Sequence, residues 1–166
     1  MTTEVAPAAF LLGPDEGEVV WFADSLLSYK LTGDQTHGQL ALAEVRAPRG
    51  SGSPVHTHRH EDEAWYVIEG ELTFWLGEES RTATTGEFVF GPRGVHHRFR
   101  VDSETARFLI LVTPAGFEDF TRACGWPATA ATLPPPDLPP HREEELVAAA
   151  RRHGIDITDV VVRSPV

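Results

Sequence analysis

The sequence predicts an all-β fold, a sandwich or barrel of short strands, followed by helical segments towards the carboxyl end. Three observations predict it. From Val19 to about Arg100, strand-like runs alternate with turn residues at nearly even spacing, with no helical pattern between them. Helical signals begin only at Phe117. In the middle of the strand-rich region two histidines, His56 and His58, stand two residues apart, the spacing at which side chains share one face of a strand.

The runs follow in order as Val19–Phe22, Leu26–Leu31, Gln39–Val45, Ala64–Ile68, Glu71–Leu76, Arg81–Ala83, Phe88–Phe90, His96–Val101 and Ala106–Thr113. Between them lie Gly33-Asp34, the stretch from Pro48 to Pro54, Glu69-Gly70, Gly77, Gly86 and the stretch from Gly91 to Gly94. Residues 1–18 are small, polar and punctuated by Pro and Gly, and read as a flexible arm. Phe117–Cys124 carries apolar residues at Phe117, Phe120 and Cys124, with Gly125 as a stop. Pro127 to Pro140 is too rich in proline for regular helix or a central strand, and reads as an extended strap. Glu143–His153 has acids in its first turn, arginines in its last and Gly154 beyond, the charge order of a capped helix. Ile155–Val162 is apolar enough to dock as an edge strand. The expected organisation is an arm over 1–18, a β-barrel over 19–116, and an extension of helices and strap over 117–166.

Composition excludes several classes of function. A chain of 166 residues suits one domain with a real core. A formal net charge of −11 leaves little basic surface for nucleic acid or for anionic membranes. No apolar run approaches the roughly 20 residues that span a bilayer. Met1 to Ala9 lacks the basic start and apolar stretch of a secretory signal, so the expected location is cytoplasmic. The single cysteine, Cys124, allows neither an internal disulfide nor a zinc site of several thiolates. Arg49, Arg59 and Arg93 read as surface ion-pair partners.

The chemistry concentrates in Pro54-Val55-His56-Thr57-His58-Arg59-His60-Glu61-Asp62-Glu63. His56 and His58 project from one strand face. Glu63 follows a short bend and can return to that face, and His97 sits on a later strand after Pro92-Arg93-Gly94. Imidazoles and a carboxylate suit one divalent transition ion: Ni, Fe, Co, Mn, Cu or Zn. Ligands on rigid strands with open coordination positions are what a catalytic ion needs. His60 is in phase with His58 only if the bend leaves the strand unbroken, and His96 points away from His97. His37, His141 and His153 read as solvent-facing residues or local caps.

These residues carry a resemblance. Gly50-x5-His56-x-His58-x4-Glu63-x6-Gly70 has the spacing of the first cupin motif, and Gly86-x5-Pro92-x-Gly94-x2-His97 that of the second. Val101 stands where the second motif ordinarily has asparagine. The flanks, such as Trp21-Phe22-Ala23-Asp24-Ser25-Leu26-Leu27 and Glu61-Asp62-Glu63-Ala64-Trp65-Tyr66-Val67, are similar to quercetin dioxygenase-like monocupins. The resemblance implies a double-stranded β-helix, or jelly-roll barrel, with C-terminal helices. It implies a metal held by His56, His58, Glu63 and His97. In flavonol-cleaving relatives the substrate's hydroxyl oxygen binds the metal, the glutamate takes its proton, and dioxygen adds to a ring that opens with release of carbon monoxide. Glu63 would then be both ligand and catalytic base.

Two classes of function follow. One is a dioxygenase acting on a flavonol or similar enolisable aromatic substrate. The other is a non-redox cyclase or isomerase of natural-product assembly, or a small-molecule-binding cupin, with the ion as Lewis acid only. The strand aromatics should divide between the interior and the outer faces. The outward halves of Val19–Phe22 and Leu40–Val45 need cover, and a homodimer would supply it.

Overall fold

The structure is a computed structural model that describes residues 8–159. Its elements run β1 (Glu18–Phe22), β2 (Ser25–Leu31), α1 (Gly33–Thr36), β3 (Ala41–Pro48), β4 (Val55–His58), β5 (Asp62–Glu69), β6 (Glu71–Leu76), β7 (Glu79–Thr84), β8 (Phe88–Gly91), β9 (His97–Val101) and β10 (Thr105–Thr113). Then follow α2 (Phe117–Cys124), β11 (Trp126–Pro127), α3 (Glu143–Arg152) and β12 (Ile155–Asp159). The strands form two antiparallel sheets, ordered β11-β1-β2-β3-β10-β5-β8 and β12-β4-β9-β6-β7. The fold is an all-β jelly roll with helices at its carboxyl end.

Strand alternation explains which side chains fill the barrel. On β10, Ala106, Phe108, Ile110 and Val112 are buried while their neighbours are not. Across the ladder, Val45 and Val67 both pair with Phe108, and Trp65 pairs with Ile110. These residues join Leu72, Phe74 and Val101 in one core. The chain passes from one sheet to the other at Gly70 between β5 and β6, where φ is +94° and an added Cβ would lie 2.6 Å from the Thr105 carbonyl oxygen.

Some expectations need correction. A four-residue helix, α1, stands between β2 and β3, with the Thr32 N–H donating to Gln35 Oε1 at 3.0 Å. The third run begins at Ala41, not Gln39, and continues to Pro48. The Pro-rich stretch begins inside a strand, because Trp126 and Pro127 pair with Trp21 and Val20 on β1. The strap beyond lies over β1, where the Trp21 indole N–H donates to the Thr132 carbonyl at 2.7 Å. The outer face of β1 is thus covered by its own chain. The outward residues of β3 include Glu44 and Arg46, and Arg107 donates to Glu44 at 2.8 Å, so that face is polar and needs no apolar partner. Residues 1–7 of the expected arm, and 160–162 of the expected last strand, lie outside the described residues. Within the arm, Lys30 Nζ donates to the carbonyls of Pro14 and Glu16, both at 2.8 Å.

The carboxyl-terminal elements build a second, smaller core against the barrel mouth. Phe120, Ala149, Ala150 and Ile155 are buried together, with Phe22, Phe117 and Leu146 packed against them. α3 ends at His153, and Gly154, with φ of +76°, turns the chain into β12. β12 lies at the edge of its sheet, with Ile155 opposite His58 and Ile157 opposite His56. Among the described residues no helix is long and apolar enough to cross a membrane.

Candidate metal centre

His56, His58, Glu63 and His97 come together from three strands and both sheets. β4 supplies His56 and His58 on one face, β9 supplies His97 directly opposite His56, and β5 of the other sheet supplies Glu63. All four are buried, and one ligand atom from each lies within 4.8 Å of the others. Glu63 Oε2 stands 3.1 Å from His97 Nε2, 3.2 Å from His58 Nε2 and 4.0 Å from His56 Nε2.

The far side of each ring fixes its tautomer. His56 Nδ1 lies 2.9 Å from the Pro54 carbonyl oxygen and His97 Nδ1 lies 3.0 Å from that of Val95. A carbonyl oxygen only accepts, so both Nδ1 atoms carry hydrogen; the neutral His56 ring is left with a lone pair on Nε2, whereas His97 Nε2 hydrogen-bonds to Glu63 Oε2. His58 Nδ1 donates instead to the Glu61 carboxylate at 2.6 Å. Its Nε2, although close to Glu63, is too poorly aligned to hydrogen-bond and is a buried nitrogen without a partner. Three imidazole Nε2 atoms and a carboxylate therefore face one point in a buried site. These three nitrogens and the carboxylate oxygen are a donor set that fits one divalent transition ion. The four residues could hold such an ion.

Electrostatics follow from the same crowding. Burial, with the neighbouring histidines, lowers the His56 pKa to about 4, so this ring stays neutral. For His58 burial acts downward as well, but the hydrogen bond to Glu61 and the nearby charge of Glu63 outweigh it and raise the pKa to about 9. Burial pushes Glu63 upward, yet His58 and His97 hold it well below the usual carboxylate range.

Beside His56 and Glu63 opens a cavity of about 140 Å³. Its wall is mostly apolar, with Phe22, Phe99, Phe117 and Phe120 beside aliphatic residues such as Ile110 and Leu146, and among the described residues no lysine or arginine lines it. The wall also includes His141, whose Nε2 accepts from the Ala23 N–H at 3.1 Å and whose ring lies 5.3 Å from that of Phe22. His141 is thus half-buried on the cavity wall, contrary to the expectation of a solvent-facing or local cap residue. Burial lowers its pKa.

The remaining expectations fall as follows. His60 is exposed and lies over Gly154, while His96 is exposed beside Glu78. His37 and His153 occupy the carboxyl-terminal caps of α1 and α3. Arg59 pairs with Asp156 and Arg93 with Asp62. Trp65, Phe74 and Phe108 are core, and Tyr66, Phe88 and Phe90 face outward. Sequence reasoning missed Glu61 as the partner of His58. The signal was the i, i+3 spacing across the bend, but Glu61, Asp62 and Glu63 are three consecutive acids whose directions depend on how that bend is made.

Comparison with known proteins agrees with this geometry. Residues 43–113, from β3 to the end of β10, match the cupin domain family. The chain carries a cupin domain. Among characterised proteins it resembles the quercetin 2,3-dioxygenases of Bacillus subtilis (strain 168) and Aspergillus japonicus. Each is 26% identical, over 75% and 66% of this chain and 37% and 33% of theirs. This cupin chain therefore spans about a third of the length of those relatives. Among solved structures, an RmlC-like cupin from Shewanella frigidimarina superposes with a TM-score of 0.57 at 19% identity, covering 70% of this chain and 99% of its own. A predicted oxalate decarboxylase from Thermotoga maritima gives 0.54 at 19% identity, over 61% and 94%. At such identities these two speak for the fold alone.

Proposed function

We propose that this cupin is a metal-dependent dioxygenase that opens the ring of a flavonol or a similar enolisable aromatic, with His56, His58, His97 and Glu63 as ligands. The observation that carries the reading is the aromatic, cation-free wall of the cavity beside His56 and Glu63. A sugar phosphate or a small dicarboxylate would bury its charge there without an arginine or lysine to receive it. A flat, neutral ring with one ionisable hydroxyl fits the wall and presents its charge only at the ligand cluster. The resemblance to two quercetin 2,3-dioxygenases supports the same choice.

A divalent ion at the cluster would supply Lewis acidity to the substrate's hydroxyl oxygen. Glu63 lines the cavity beside His56, where it can take the hydroxyl proton. Phe117, Phe120 and Leu146 cover the cavity and keep water from the enolate. Phe22 and Phe99 would hold the substrate's aromatic rings while dioxygen adds across the enolate ring; two of that ring's carbon–carbon bonds then break, both oxygen atoms stay in the product and the carbon between those bonds leaves as carbon monoxide.

The test is an oxygen-uptake assay on metal-loaded protein with a panel of flavonols, with headspace analysis for carbon monoxide. Uptake matched by release of carbon monoxide is expected, and turnover should stop under nitrogen. Absence of both across the panel overturns the reading.

We propose also that the protein pairs as a homodimer. On β5 and the edge strand β8, Tyr66 stands opposite Phe88 and both are exposed, as is Phe90. A second copy placing the same edge against this one would cover all three on each side.

A further inference from the structure

We propose that Glu61 is a positioning residue of the metal centre: through its hydrogen bond to Nδ1 it fixes the ring of His58 and strengthens Nε2 as a ligand. The inference rests on the metal reading of the cluster. Its ground is an asymmetry among the three histidines. His56 and His97 are each steadied by a backbone carbonyl at about the ordinary hydrogen-bond distance. His58 alone donates to a carboxylate, at 2.6 Å, and it is the most deeply buried of the three, with no exposed surface. A carboxylate draws the Nδ1 proton more strongly than a carbonyl, leaving more electron density on the opposite nitrogen. It also prevents the ring from flipping, which would turn Cε1 or Nδ1 towards the cluster.

Glu61 is itself held for this task. It is 5% exposed although it belongs to a bend between two strands. One side of the bend is fastened by the Arg59 N–H donating to the Gly154 carbonyl at 2.9 Å, and the other by Arg93 clasping Asp62 at 2.9 Å. The second carboxylate oxygen rests against Gly116, where an added Cβ would lie 2.7 Å from it. Glu61 reaches only the outer edge of the His58 ring, and it is not among the residues whose ligand atoms converge. It acts through His58 and not as a ligand.

The experiment uses the full chain stripped with a chelator and titrated with Co(II), in competition with a chromophoric chelator. The visible absorption of the bound cobalt is recorded with each affinity. Wild type, Glu61→Gln and Glu61→Ala are compared, with circular dichroism to follow the fold. Co(II) affinity is expected to fall roughly 10-fold to 100-fold in both variants, the usual range for loss of such a partner. The visible band should shift because the ligand field of His58 has changed. If Glu61→Ala fails to fold, Glu61→Gln, which keeps the size and an acceptor oxygen, decides alone. Affinities and spectra equal to those of the wild type overturn the proposal for Glu61 and leave the metal site standing. Failure of the wild type to bind Co(II) overturns the metal reading, and the role of Glu61 with it.

Discussion

His56, His58 and His97 each supply one nitrogen to a cluster that the fold itself does not require, since the main core of Trp65, Phe74, Phe108 and their neighbours packs beside it. His56→Ala, His58→Ala and His97→Ala should each lower bound metal sharply with the far-ultraviolet spectrum kept, as elemental analysis of the purified variants would read. Unchanged stoichiometry in all three would remove the assignment. Glu63→Gln should differ, because an amide is a weak ligand and not a base: part of the metal stays and turnover is lost. Gly52 tests the backbone nearby. It lines the cavity, and an added Cβ would lie 2.2 Å from the Phe99 carbonyl oxygen. Gly52→Ala should therefore destabilise the fold by about 1–3 kcal/mol in denaturant unfolding. At this scale the cluster was legible because strand alternation and two gapped spacings are local facts of the sequence. Glu61 and His141 were not. The direction of Glu61 depends on a bend pinned by Arg93 and Asp156, from 31 and 97 positions away, through their pairs with Asp62 and Arg59. His141 reaches the cavity only because the strap carries it back 118 residues to Ala23.

The bend from Arg59 to Asp62 also shows how an element is fixed by charge. Arg93 donates to Asp62 from its side chain and its own N–H, and these bonds lower the Asp62 pKa from an ordinary 3.8 to about 2. A carboxyl with a depressed folded pKa stabilises the fold fully above its unfolded value, and that contribution disappears as pH falls from about 4 towards 2. Asp62→Asn should then be the less stable protein at neutral pH, and its melting temperature should fall less than that of wild type between pH 5 and pH 2. Parallel slopes for the two would show that the pair contributes nothing. Strands were the elements that sequence periodicity found best: β6 spans the expected Glu71–Leu76, and α2 the expected Phe117–Cys124. The missed ones are too short to have a period. α1 is a single turn and β11 is two residues long, and the second exists only because β1 offers it a partner.

For the molecule as a whole, the outward aromatics mark where assembly should occur. Light scattering at micromolar concentration should give the mass of two 18.3 kDa chains. Charges placed at Phe88 and Phe90, as in Phe88→Glu with Phe90→Lys, should return it to one without loss of bound metal, since both side chains point away from the ligand cluster. A wild-type mass of one chain would refute the dimer. The outer faces from which the sequence suggested pairing are covered or polar within the chain itself. Cover for Trp21 comes from the strap at Thr132, and the outward side of β3 carries the Glu44–Arg46 pair, neither of which alternation alone discloses.

The zipping of β12 onto β4 has a further effect. The strand that offers His56 and His58 is the same one on which the last described segment rests, so filling the cluster and docking the chain end are thermodynamically linked. An ion that binds only while β12 holds β4 in order also favours the attached β12, by about 2.7 kcal/mol when its free concentration is 100 times its dissociation constant. The carboxyl-terminal segment then becomes a reporter of occupancy: protease should clip it readily from chelated protein and slowly from loaded protein, with the rate titrating along the binding curve.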